Sequence, residues 1–290
     1  MFLKYIVTNN KYKNINQILN QELHISTRLQ HKLIVQKHVM LNDKIIDTRS
    51  SVSLNDIITV DLTFNEESEN IISTPMSLNI IYEDECFLIL NKPAGIAVHP
   101  SILHYSDSLA NGVKFYFESI GLKCKIRPVN RLDLNTSGII IFAKNEYVQE
   151  CLIRQMQNKT FKKYYIAFVD GIFTDKKGTI NLPIARKDKS IIERCIDYNG
   201  QTAITDYKVL SEYDNFSVVE CYLQTGRTHQ IRVHMSAIGH PLLGDTLYGN
   251  SSNLINRQAL HSYKISFVHP VTNQIMSFSC DLPNDMKLTT

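Results

Sequence analysis

Hydrophobic positions change their period twice along the chain. Ile15, Ile18, Leu19 and Leu23 recur at helical spacing, as do Leu29, Leu33 and Ile34, with Ser26 or Thr27 as a cap for the second helix. The runs VMLNDKII and IITVDL that follow are short and β-branched, and Asn42-Asp43 supplies turn chemistry inside the first. From Phe64 to Ser77 the stretch FNEESENIISTPMS is acidic and polar, lacks an apolar period and carries Pro75, which is linker composition. Beyond it the runs FLILNKP, GIIIFAK, YYIAFV, TAITDYKVL and FSVVECYL predict strands, separated by turns such as TDKKG and YDN. Helices are predicted from Leu109 to Glu118, Glu146 to Gln157 and Thr228 to Ile238, the last closed by Gly239. Strands outnumber helices and do not alternate with them. The expectation is therefore an α+β fold, a mostly antiparallel mixed sheet with flanking helices, preceded by a small amino-terminal α/β unit. The implied boundaries are 12–64 for the small unit, 65–77 for the linker and 78–286 for the main domain.

At 290 residues the chain can bury a sizeable core, and its 43% hydrophobic and 20% charged residues are those of an ordinary globular protein. No apolar run approaches the ~18 residues of a membrane span. The start, MFLKYIVTNN, has neither a long apolar centre nor a small-residue cleavage site, so a secretory signal is not expected and the cytoplasm is. Cys86, Cys124, Cys151, Cys195, Cys221 and Cys280 are scattered singly, as free thiols in a reducing compartment would be. His229 and His234 are five apart, which is not one helical face, and no metal is expected.

The net charge of +3 decides nothing, but its distribution adds something. Lys11 to Ser50 holds seven Lys or Arg against three Asp or Glu, Ser51 to Glu85 holds eight acidic residues and no basic one, and Lys123 to Lys163 holds nine basic against three acidic. Two basic blocks around an acidic one suit a polyanion contacted at two places. They suit ordinary solvated faces equally well.

The densest polar cluster is RPVNRLDLNTSGIIIFAKN, in which a loop holding Arg131, Asp133, Asn135, Thr136 and Ser137 precedes an apolar strand. A carboxylate in a loop anchored to a core strand is both held and reachable, as a catalytic group must be. A turn or cap residue would sit there just as well.

NRLDLNTSG resembles the signature of the RluA-type pseudouridine synthases: His-Arg-Leu-Asp, two variable residues, then Thr-Ser-Gly. The resemblance implies that Asp133 is the catalytic carboxylate and that Arg131 displaces and holds a flipped nucleotide. Asn130 stands where the family has His, which reads as tuning of loop geometry or substrate fit. ILNKPAGIAVHP is similar to the family's Asn-Lys-Pro-Xaa-Gly segment, mainly a strand ending in a turn, with Lys92 adding a phosphate contact. KYYIAFVDG places the family's active-site tyrosine on Tyr165 and not Tyr164, its ring being a stacking surface for an extruded uracil. LQTGRTHQIRVHMSAIGHPLLGDTLYG carries the basic partner of the catalytic Asp onto Arg232 and places Leu243 against the base pocket, with Arg227 and His229 positioning the helix start. LHSYKISFVHPVTNQ and DLP resemble the closing strands. Ile15 to Thr63 resembles the small RNA-binding module of the ribosomal-protein S-four type, which points to Arg28, Lys32 and Lys37 as RNA contacts. Two departures mark that stretch: a usual glycine is missing around Lys37-His38, and a usual Gly-Asp turn reads Asn55-Asp56.

What the resemblance implies is a monomer that isomerises uridine in RNA, ribosomal RNA in preference to transfer RNA, with no metal and no cofactor. Asp133 has to act as an anion in a water-poor pocket; burial alone favours the neutral acid, so a cation beside it is expected. The chain carries no Gly-rich nucleotide fingerprint. The competing reading is a catalytically inactive RNA-binding protein of the same fold, acting in ribosome assembly, which Asn130 and the altered amino-terminal unit favour. Deaminase chemistry would want H-x-E and P-C-x-x-C, and both are missing.

Overall fold

The computed structural model describes residues 1–47 and 50–287, so Arg49 of the first basic block lies outside the described residues. The amino-terminal unit comprises β1 (Phe2–Ile6), α1 (Ile15–Gln21), α2 (Thr27–Val35), β2 (Val39–Leu41), β3 (Lys44–Ile45) and β4 (Ile57–Asp61). Its strands form one antiparallel sheet in the order β1-β4-β2-β3. Ser26 is the cap of α2, its Oγ accepting the Leu29 N–H at 3.2 Å. Asn42 and Asp43 both take positive φ, 49° and 63°, the backbone of a tight hairpin turn. Both departures from the S-four-type pattern sit where glycine would be unstrained, since Lys37 has φ 59° and Asn55 φ 69°. Strand β1 was not expected. It alternates Leu3 inward with Phe2 and Ile6 outward, and pairs with β4.

The rest of the chain forms β5 (Ile80–Glu83), β6 (Phe87–Lys92), α3 (Leu109–Ser119), β7 (Arg127–Pro128), β8 (Ser137–Ala143), α4 (Glu146–Gln157) and β9 (Lys162–Asp170). There follow β10 (Lys177–Asn181), β11 (Ile184–Arg186), β12 (Arg194–Ile196), β13 (Ile204–Glu212), β14 (Phe216–Leu223), α5 (Gln230–Ala237), β15 (Leu260–Val268) and β16 (Ile275–Ser279). The main sheet runs β10-β13-β14-β9-β15-β8-β6-β5, with β16 added on β15 and β7 on β8, while β11 and β12 form a separate two-stranded arm. Every pairing is antiparallel except a short parallel contact of β15 with β8. This is the expected α+β architecture. Among the described residues no helix is long and apolar enough to cross a membrane.

Strand β8 explains how two units share one core. Its unbroken apolar run is buried on both faces, as such runs are in covered sheets. Ile139 and Ile141 join a cluster that includes Ile15, Leu19, Leu29 and Leu33 of the amino-terminal helices. Ile140 and Phe142 join the opposite cluster, with Leu132, Tyr165 and Ile231. One strand thus backs the amino-terminal unit on one side and the functional cavity on the other.

The stretch with linker composition is a bonded strap. Glu66 bridges the Lys32 ammonium and the Arg127 guanidinium, both at 2.6 Å. Lys32 also reaches Glu146 at 3.4 Å and lies 4.0 Å over the Phe64 ring. The Lys32 ammonium is thereby held in ion pairs at the junction, its side chain 27% exposed, a correction to its expected role as a free RNA contact; Arg28, 3.5 Å from Glu146, and Lys37 remain exposed. Burial pushes the Glu66 carboxyl up, but Lys32 and Arg127 outweigh it and hold it below its usual 4.5. Its ionised form therefore stabilises the fold in full above about pH 4.5, and the contribution disappears as pH falls through the lower folded value. Glu66→Gln should lose about 3 kcal/mol near neutrality by stranding the buried Arg127 and leaving Lys32 only its longer contact with Glu146. In denaturant titrations that deficit should shrink towards about pH 3; a pH-independent deficit would rule the network out as its source.

Candidate active site

Asp133 lies in the turn between β7 and β8, its side chain 26% exposed, and lines a cavity of about 790 Å³. That volume is in the range of small-molecule sites, about 300–1,000 Å³. The loop is held from four sides. Lys92, fully buried, donates its three ammonium hydrogens to the carbonyls of Pro93, Ile96 and Leu134 at 2.8–2.9 Å. Arg257 donates to the Asn135 carbonyl at 3.0 Å while a two-point pair with Asp285 fixes its other edge. His261 Nδ1 meets the Ser137 hydroxyl at 2.9 Å. Asn130, buried, accepts the Ile141 N–H at 3.0 Å and donates to the Ile139 carbonyl at 3.2 Å, so this amide stitches the loop onto β8. Lys92 is not placed for a phosphate contact. Burial pushes its pKa down to about 7, Asp133 acting in the other direction, and three carbonyls consume its donors.

Across the cavity, α5 presents Arg232. Its expected start at Thr228 gives way to Gln230, because His229 adopts the left-handed region, φ 58°. The Gln230 side chain closes the preceding turn by accepting from the Arg227 N–H at 2.9 Å and the Thr225 hydroxyl at 2.8 Å. Arg232 places Nη1 3.3 Å from Asp133 Oδ2. Its Nε and Nη2 are taken by Asp245 at 2.7 and 2.8 Å, and its plane lies 5.0 Å over the Tyr248 ring. Burial works to lower the Arg232 pKa; the Asp245 carboxylate outweighs it, so the guanidinium stays charged. Asp245 anchors the cation, and the remaining edge of the fork faces Asp133.

His229 Nε2 stands 3.8 Å from the same Asp133 oxygen. The Tyr248 hydroxyl accepts the Arg194 N–H at 2.8 Å and stands 2.8 Å from His229 Nδ1. With the Tyr248 proton given to Nδ1, the imidazole N–H sits on Nε2, the nitrogen nearer Asp133. Burial pushes the His229 pKa below its usual 6.5, with Asp133 opposing. The ring is therefore neutral near pH 7, adding a dipole to the carboxylate and no charge.

Tyr165, on β9, is buried against the cavity wall, and burial with Asp133 nearby keeps its phenol protonated. Tyr164 pairs instead with the Tyr222 ring on the other face of β9. Arg131 is exposed at the rim, 3.5 Å from the Thr228 hydroxyl. Leu243 does not line this cavity: it packs with Ile166, Phe168 and Val218 in a different cluster. The bridge between Val169 and Leu242 turns Leu242 into the core beneath the site and Leu243 away from it. The apolar wall is supplied by Leu132, Leu223, Ile231 and Leu260. Lys163, two residues before Tyr165 on the same strand face, also lines the cavity, and burial alone pushes its pKa down to about 8. Among the described residues Asp133 is the only carboxylate lining the cavity, against Arg131, Lys159, Lys163, Arg227 and Arg232.

Asp84, Cys86 and His269 bring possible metal-ligand atoms within 4.8 Å of one another. Their atoms are already committed. Asp84 Oδ1 accepts the Cys86 and Phe87 N–H groups, and His269 Nδ1 accepts those of Val271 and Thr272. Nε2–H of that ring then donates to Asp84 at 3.0 Å, so the cluster reads as a strand-end clamp.

The chain is similar to known proteins along most of its length. The RNA pseudouridylate synthase family profile matches residues 86–237. An uncharacterized RNA pseudouridine synthase of Bacillus subtilis, YhcT, is 40% identical over 272 residues, 93% of this chain and 90% of that one. Ribosomal large subunit pseudouridine synthase D of Neisseria meningitidis serogroup B is 36% identical over 261 residues, 86% and 70% of the two chains. The solved structure of human RNA pseudouridylate synthase domain containing 1 superposes with a TM-score of 0.60 at 27% identity, covering 72% of this chain and 86% of that one.

Proposed function

Because the chain belongs to the RNA pseudouridylate synthase family, we propose that it isomerises specific uridines of ribosomal RNA, with Asp133 as the catalytic carboxylate. The observation that carries this reading is the Asp133–Arg232 contact of 3.3 Å, in a cavity where every other charged lining residue is a cation. The naming of relatives as large-subunit ribosomal enzymes supports the substrate class.

The target base is unreachable while stacked, so it is extruded, at a few kcal/mol. Arg131, exposed at the rim, fills the vacated space or holds the strand, and the Tyr165 ring gives the uracil a stacking face. Asp133 then drives cleavage of the bond from C1′ to N1, by attack at the sugar or base or by removal of a sugar proton. The uracil turns, C1′ bonds to C5, the C5 proton leaves and N1 gains one, so nothing is added or lost overall. Arg232 and the neutral His229 hold the carboxylate in its reactive position. Arg28 and Lys37 extend the contact with RNA onto the amino-terminal unit.

The test is to incubate the protein with ribosomal and transfer RNA from cells lacking pseudouridine and map the product. Conversion should concentrate at a few ribosomal uridines. Arg28→Gln with Lys37→Gln should lower that yield at limiting enzyme and leave a short stem-loop substrate unaffected. Conversion confined to transfer RNA would overturn the substrate class; no conversion of either would overturn the reaction.

A further inference from the structure

A second concavity of about 480 Å³ opens beside the cavity of Asp133 and shares Arg131, Gly226, Arg227 and Thr228 with it. Its far wall is the β11–β12 arm, which contributes Arg186 and Arg194. Among the described residues no carboxylate lines it, and none of these four arginines is ion-paired, whereas Arg127, Arg232 and Arg257 each have a carboxylate. Their local bonds are to neutral groups. Arg194 donates to the carbonyls of Ile192 and Glu193, Arg227 to that of Thr202, and Arg131 to the Thr228 hydroxyl.

Arg186 and Arg194 are also direct cross-strand partners on the antiparallel arm. Like charges opposite one another destabilise such a pair, and the arm is only three residue pairs long. That arrangement makes sense if an anion lies between the two side chains. Tyr198, the chain neighbour of the lining residue Asn199, is 85% exposed. Unpaired arginines with an exposed aromatic ring are the composition of a single-strand binding groove.

We propose that this concavity is the track for the RNA strand leaving the active site, with Arg186, Arg194 and Arg227 gripping the phosphodiesters next to the flipped nucleotide. The proposal rests on the reading of the protein as an RNA-modifying enzyme, and it assigns the arm a role separate from the chemistry. The grip is to backbone phosphate, so it is indifferent to base sequence.

The test uses Arg186→Gln with Arg194→Gln in the full chain, keeping Arg227 because it borders the catalytic cavity. The probe is a fluorescein-labelled oligouridylate, its Kd measured across a salt series. The double variant should raise Kd roughly tenfold at low salt. It should also cut the slope of log Kd against log salt by about 0.7 for each arginine. The saturated single-turnover rate of uridine conversion should be unchanged in Arg186→Gln alone, because Arg194 lies beside the Tyr248–His229 pair. Arg186→Lys with Arg194→Lys should recover the slope, because the charge is retained. Lys177→Gln, on edge strand β10 and outside both cavities, controls for net charge. An unchanged slope in the Gln variant, or a Lys variant as weak as the Gln variant, would overturn the proposal. If the protein binds the oligouridylate as described but converts no uridine, the groove stands and the catalytic reading falls.

Discussion

Asp133→Asn should abolish pseudouridine formation, with a rate at least about 10⁴-fold below wild type, while RNA binding and thermal stability stay near wild type. The substitution is isosteric and removes the one carboxylate, among the described residues, that lines the cavity. What makes it informative is how Arg232 is shared. Two of its nitrogens are bound by Asp245, which is buried and also accepts the Leu247 and Tyr248 N–H groups. Removing the Asp133 charge therefore leaves no buried cation uncompensated, and the stability penalty of breaking a buried pair should not appear. The loop is also fastened by contacts that do not use the Asp133 side chain: Lys92 on Leu134, Arg257 on Asn135 and His261 on Ser137. Activity and stability should separate cleanly. Single-turnover conversion and a thermal melt on the same preparation check this. More than about one per cent residual activity would move the chemistry to another group.

The legibility of the chain follows from where each signal resides. Elements whose signal is local were readable: α4 has the expected bounds, and β6, β8 and β14 lie on their apolar runs. Strands β11 and β12 are short and carry charge on an arm outside the main sheet, so their pattern is that of a loop. The site divides in the same way. Asp133 was a candidate from its loop-before-strand setting, and the family resemblance linked it to Arg232 on a distant helix. Asp245, Tyr248 and Arg257 act through contacts formed only by the fold, and no spacing marks them. Leu243 shows the limit most plainly. Two adjacent leucines in a turn are equivalent by composition, and only the backbone bridge from Val169 to Leu242 decides which one faces inward. Lys32 was misplaced for a related reason: a basic residue on an exposed-looking helix gives no hint that Glu66, in an acidic stretch, folds back onto it.

Gly138→Ala should destabilise the catalytic unit strongly for a change of one methyl group. Gly138 is the last residue of the signature stretch and has φ 112°, a region side chains rarely adopt. A Cβ there would lie 2.2 Å from the Ser262 carbonyl oxygen, 2.6 Å from its nitrogen and 2.7 Å from its carbonyl carbon. All three are backbone atoms of β15, so no side chain can swing aside. This is the parallel contact where Ser262 pairs with Gly138, and Ser262 also pairs with Tyr165 on β9. Accommodating the methyl means parting β8 from β15, and so Asp133 from the ring expected to stack the base. A loss of roughly 3–5 kcal/mol is expected, with the melting temperature falling by about 10 °C. Gly95→Ala is the internal standard, because Gly95 also has positive φ, 82°, but nothing lies within 4 Å of its would-be Cβ. It should show only the conformational penalty, about 1–2 kcal/mol. If the two alanine variants melt together, backbone strain alone accounts for Gly138 and the close β8–β15 approach does not. If Gly138→Ala is much the weaker and its conversion rate falls even at temperatures where it remains folded, the glycine is there to bring the halves of the active site into register.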